Sequence, residues 1–179
     1  SMSSGINMIS VPLDPGVQWQ MSDLVALVGP NLTMIIHYGQ VKSGKFDAYK
    51  PDFPKESPAN AMVNGTQGYI VVMKAPETVT FKGTAWDGKL HLSAGINLIS
   101  VPVEPPEEMK LSDLLTKIGP DATMVFWYDT EKAKFVTHIP TYPEDSPSNT
   151  TVKGGAGYII MMKKATTVIF EGKAWRNTP

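Results

Sequence analysis

The chain has 179 residues, 42% of them hydrophobic and 18% charged, which predicts a packed core and excludes wholesale disorder. A net charge of -1, with Arg176 as the only arginine, argues against a polyanion-binding protein, so nucleic acid is not an expected partner. The absence of cysteine excludes disulfides, zinc–thiolate sites and thiol nucleophiles, and no apolar run is long enough for a membrane span.

The elements come twice. Gly5-Ile-Asn-Met-Ile-Ser-Val-Pro12 returns as Gly95-Ile-Asn-Leu-Ile-Ser-Val-Pro102, and Phe81-Lys-Gly-Thr-Ala-Trp86 returns as Phe170-Glu-Gly-Lys-Ala-Trp175. Nearly half of the aligned positions are identical, so a duplication is read before anything else. One residue is lost between Tyr128 and Phe135, where a hairpin turn tolerates it. The division is a first module over 4–86, a linker over 87–93 and a second module over 94–175. The shortness of the linker and of each copy predicts that the two pack as one unit.

In chain order, residues 6–11 and 96–101 are apolar on both faces and predict interior strands, ended by Pro12 and Pro102. A polar, Pro-rich loop follows. Ser22 and Ser112 are expected to cap a short helix with Asp23 and Asp113 in its first turn, and Gly29-Pro30 or Gly119-Pro120 to end it. Leu24, Leu27 and Val28 predict its buried face, although Lys117 stands in place of Leu27 in the second copy. Residues 32–38 and 122–128 predict a strand paired in a hairpin with 46–49 or 134–139. A Pro-rich loop covers 50–60 and 139–149. Strands are then predicted over 69–73 and 158–162, and over 78–82 and 167–171, with Val79, Phe81, Val168 and Phe170 facing inward. The expected class is α+β, mainly antiparallel, as two tandem repeats in a pseudo-twofold relation.

The strings Gly-Ile-Asn-Leu-Ile-Ser-Val-Pro, Leu-Ser-Asp-Leu, Gly-x-Gly-Tyr-Ile and Phe-x-Gly-x-Ala-Trp resemble a repeat module of bacterial secreted and cell-surface multidomain proteins. The resemblance spans nearly all of both copies. It implies a non-catalytic structural or adhesive module, extracellular or at the cell surface, with protein or glycan as partner. Ser1-Met2 reads as a remnant of expression, with a native leader trimmed away.

Each chemical candidate has a plainer reading. His37, His91 and His138 have no histidine counterparts, so neither a metal site nor a catalytic histidine is expected, and no cofactor is implied. The retained carboxylates Asp14/Glu104 and Glu56/Asp145 lie on loops; a hydrolase acting through them is the weakest reading. The glycines at 65 and 68, and at 154, 155 and 157, precede a strand and not a helix, which favours a bend over a phosphate cradle. A cross-link between Asn7 or Asn97 and Lys74 or Lys163 lacks an apolar acid to promote it. Trp86 and Trp175 are expected to plug the core or the seam between copies. The alternative to a structural module is carbohydrate binding, with Trp19, Tyr38, Trp127 and Tyr128 stacking on sugar rings.

Overall fold

The computed structural model describes residues 1–176. It is mainly antiparallel β with two helices, an α+β protein. The first copy contains β1 (Gly5–Ile9), α1 (Met21–Val28), β2 (Leu32–Tyr38), β3 (Phe46–Tyr49) and β4 (Tyr69–Met73). The second begins with β5 (Lys89–Leu92) and continues through β6 (Gly95–Ile99), α2 (Leu111–Ile118), β7 (Ala122–Asp129), β8 (Lys134–His138), β9 (Tyr158–Met162) and β10 (Thr166–Ile169). Two four-stranded sheets run in the orders β1-β4-β2-β3 and β6-β9-β7-β8, and β5 pairs with β10 in a third, two-stranded sheet. Every strand pair is antiparallel.

Alternation along the strands decides what each sheet buries. Leu32, Ile35, Tyr69, Val71 and Met73 turn to one face and pack against Met21, Leu24 and Val28 of α1. Val125, Tyr158, Ile160 and Met162 do the same against Leu111, Leu114, Leu115 and Ile118 of α2. Each such aliphatic side chain, fully buried, contributes about 1.5–3 kcal/mol. Leu27 is exposed, which explains why Lys117 is accepted at the aligned position.

The helix start differs from expectation. The caps are Gln20 and Lys110, whose backbone N–H groups donate to Asp23 and Asp113 at 2.8 Å. Ser22 and Ser112 lie two residues further in and serve another purpose. The Asn60 Oδ1 accepts the Ser22 N–H at 2.8 Å and its Nδ2 donates to the Ser22 hydroxyl and to the Lys55 carbonyl. Asn149 repeats this with Ser112 and Glu144. One buried amide therefore satisfies an orphan helix N–H and holds the Pro-rich loop in consecutive turns.

The last predicted strand forms in the second copy alone. Thr166–Ile169 has β5 as its neighbour, and Leu90, Leu92, Val168 and Phe170 are buried together. In the first copy an isolated bridge joins Met2 to Glu77, residues 78–82 form no strand with the other described residues, and Val79 and Phe81 are half-buried. A strand exists only where a second chain segment supplies its ladder.

Candidate functional site

The matched motif residues converge on the seam between the copies. The end of β1 uses its free edge to meet the segment entering β9: Ser10 donates to Gly155 at 2.9 Å and Gly157 donates to Met8 at 3.1 Å. The end of β6 meets the segment entering β4 in the same way, with Gly68 donating to Leu98 at 3.1 Å and Ser100 to Thr66 at 3.0 Å. Pairing thus runs from β1 to β4, to β6, to β9 and back to β1. A Cβ on Gly68 or Gly157 would lie 2.7 Å from the carbonyl oxygen of Ile99 or Ile9, so only glycine permits this approach.

Trp86 and Trp175 plug the cores, not the seam. Their indoles donate to the Val11 and Val101 carbonyls at 2.8 Å. They lie flat against Gly65 and Gly154, where a Cβ would fall 2.1 Å and 2.6 Å from the rings. Behind them Tyr69 and Tyr158 are buried, and burial pushes both phenols up to about 12. Their oxygens accept the Asn64 and Lys153 N–H groups at 3.1 Å.

Clefts flank the seam. One of ≈ 200 Å³ lies between Tyr38, Gln67, His91 and Leu98, and one of ≈ 400 Å³ between Met8, Val79, Tyr128 and Ala156. The matched amides at their floors are already engaged. Asn7 exchanges two 2.8 Å hydrogen bonds with the backbone of Ser3, and Asn97 does so with Ser93 at 2.9 and 2.8 Å. Lys74 and Lys163 are exposed, away from any buried acid that could promote a cross-link.

The four aromatics singled out in the sequence are dispersed. Tyr38 borders the smaller cleft and Tyr128 the larger. Trp127 and Tyr128 border a third, of ≈ 380 Å³, together with Asp129, Thr150 and Lys153. As consecutive residues of β7 they project to opposite sheet faces. Trp127 packs on the second core and donates its indole N–H to the Ser148 carbonyl at 3.2 Å; Trp19 packs half-buried on the first core. Sequence reasoning missed Phe46 and Phe135, both about half exposed, which stack edge-on against Tyr38 and Tyr128 at 4.7 and 5.1 Å. Retention of the Tyr–Phe pair in both hairpins was the available signal.

His37 and His138 are fully buried and His91 is exposed. His138 Nδ1 lies 2.8 Å from the Ser148 hydroxyl, and burial pushes this imidazole below its usual value. The loop carboxylates are far from uniform. Asp14 accepts the Gly16 N–H at 2.8 Å, Glu56 and Asp145 are exposed, and Glu104 holds the Arg176 guanidinium, which keeps its carboxyl below the usual range. Among the described residues no group of three or more His, Asp or Glu is placed to hold a metal ion. No helix among them is long and apolar enough to cross a membrane. Comparison with family models, curated proteins and solved structures gives no match.

Proposed function

We propose that the protein is a non-enzymatic structural or adhesive tandem module, whose two copies are related by a pseudo-twofold axis through the seam. Its work is spacing, display or contact with a protein at a bacterial surface or in secreted assemblies. The observation that carries this reading is where the retained side chains spend their chemistry. Asn7, Asn60, Tyr69 and Trp86, with their counterparts, all hydrogen-bond to backbone atoms of their own copy. What duplication preserved is the geometry of the chain. The surface location rests on the resemblance of the Gly-Ile-Asn-Leu-Ile-Ser-Val-Pro and Phe-x-Gly-x-Ala-Trp strings to modules of surface proteins.

A second reading, carbohydrate binding, is favoured by the cleft beside Trp127 and Tyr128, where aromatic edges meet Asp129, Thr150 and Lys153. A glycan array probed with the native chain and with Trp127→Ala separates the two. The structural reading expects no glycan signal above background. A glycan held by the native chain and released by the variant replaces the structural reading with the second.

A further inference from the structure

The dipeptide Asn-Gly occurs once in the chain, as Asn64-Gly65, where the first copy enters the seam. The duplication does not repeat it: Lys153 aligns with Asn64, and Gly155 with Thr66. Asn64 is half-buried, and its Oδ1 accepts the Thr66 N–H at 3.1 Å and the Thr66 hydroxyl at 3.0 Å. A backbone N–H only donates, so this contact fixes which end of the amide carries the oxygen. A side chain folded back onto the second residue ahead brings its Cγ toward the intervening nitrogen, here that of Gly65. Among the described residues no carbonyl takes the Gly65 N–H, and glycine has no Cβ to obstruct an approach to it.

We propose that Asn64-Gly65 is a modification site, at which the chain deamidates itself with help from Thr66. The Gly65 nitrogen gives up its proton and bonds to Asn64 Cγ. The Cγ–Nδ2 bond breaks, and ammonia leaves with that proton. One water then opens the five-membered imide at either of its carbonyls, giving aspartate or isoaspartate. The net change is one amide hydrolysed by one water, with no oxidant or cofactor. Negative charge develops on Oδ1 as the ring closes, and the two Thr66 donors already stand at the distance that stabilises it.

The product acts on one seam only. Isoaspartate adds one atom to the main chain between residues 64 and 65, and a carboxylate replaces a neutral amide. The next two carbonyls hold the other copy: Gly65 accepts the Ser100 hydroxyl at 2.6 Å and Thr66 accepts the Ser100 N–H at 3.0 Å. Gly65 also lies under the Trp86 ring with no room to shift toward it. A longer main chain here pulls both carbonyls out of register with Ser100. The twin contact, Ser10 on Gly155, has Lys153 at the aligned position and is left intact. Ageing therefore loosens the pair of copies from one side, irreversibly. This inference does not depend on the functional reading above.

The test incubates the full chain and its Thr66→Ala variant in mildly alkaline buffer, each folded and each unfolded in urea. Peptide mass spectrometry follows conversion at Asn64, and isoaspartyl methyltransferase labelling identifies the rearranged product. In the folded chains Thr66→Ala is expected to slow conversion at least about threefold, since one of two donors to the oxyanion is lost. In urea the two sequences convert alike, because the donors are no longer placed. Converted folded chain, separated by its extra negative charge, is expected to lose roughly 2–4 °C in Tm. Its Ser100 amide exchanges faster while that of Ser10 does not. The proposal is overturned if the folded parent stays intact at Asn64 over the time in which the unfolded parent is half converted. Equal folded rates for parent and variant, or equal loss of protection at Ser10 and Ser100, also overturn it.

Discussion

Trp127 donates to the Ser148 carbonyl at 3.2 Å, and His37, the ring at the aligned position of the first copy, meets the aligned Ala59 carbonyl through Nε2 at 3.0 Å. A carbonyl only accepts, so His37 donates from Nε2, while its Nδ1 is buried and without a hydrogen-bond partner among the described residues. Two different rings serve one loop carbonyl. His37→Phe keeps the ring and removes the donor, and is expected to cost about 1–3 kcal/mol by urea denaturation. A loss below about 0.5 kcal/mol, the range of surface substitutions, contradicts the assignment.

His138 contributes to the acid side of stability. Burial lowers its imidazole in the folded chain, so the fold prefers the neutral ring while the unfolded chain takes a proton below about 6.5. The contribution is complete above that value and declines as pH falls, until the folded ring is protonated as well. His138→Tyr, which installs the residue the first copy has at Tyr49, is expected to flatten the fall in urea midpoint between about pH 7 and pH 5. A fall as steep as in the parent chain removes His138 as its source.

Tyr69 and Tyr158 act on the alkaline side of stability. Both phenols are raised from 10.0 to about 12 by burial. Their protonated forms therefore favour the fold, with full effect below the unfolded value of about 10 and loss as pH rises toward 12. Spectrophotometric titration of the native chain, compared with Tyr69→Phe and Tyr158→Phe, is expected to show the Tyr69 and Tyr158 phenols ionising only as the fold gives way. Six phenols titrating together near pH 10 run against this.

The seam depends on two missing methyl groups. Gly68→Val and Gly157→Val each drive a side chain against a carbonyl oxygen of the other copy, which lies 2.7 Å from the Cβ position. Overpacking of this kind costs about 1–3 kcal/mol, because backbone must move. Scanning calorimetry is expected to show comparable Tm losses for the two. A clear loss from one alone speaks against matched seams.

Most strands were legible because their residues alternate or run apolar beside glycine and proline. The hairpin from Leu32 to Tyr49 and the strand Tyr69–Met73 coincide with their predicted bounds. Ser22 misled because serine is a common cap; a long-range partner, Asn60, claims it instead. Residues 78–82 misled because alternation reports which side chains want burial and not whether a neighbouring strand is present to pair with. The role of Lys89–Leu92 was hidden for the converse reason: a segment outside the aligned copies reads as a connector. For the site, the sequence located Tyr38, Trp127 and Tyr128 on the hairpins. It did not separate the strand faces of Trp127 and Tyr128, nor reveal that the Trp127 N–H is engaged.

The reciprocal bridges Ile9–Ala156 and Gln67–Ile99 have a consequence for severed molecules. Each half offers the other both a donor edge and a receiving edge, so the covalent joint contributes proximity and not the contact itself. Cut ahead of Asp87, the two fragments should recognise one another and reassemble as a heterodimer.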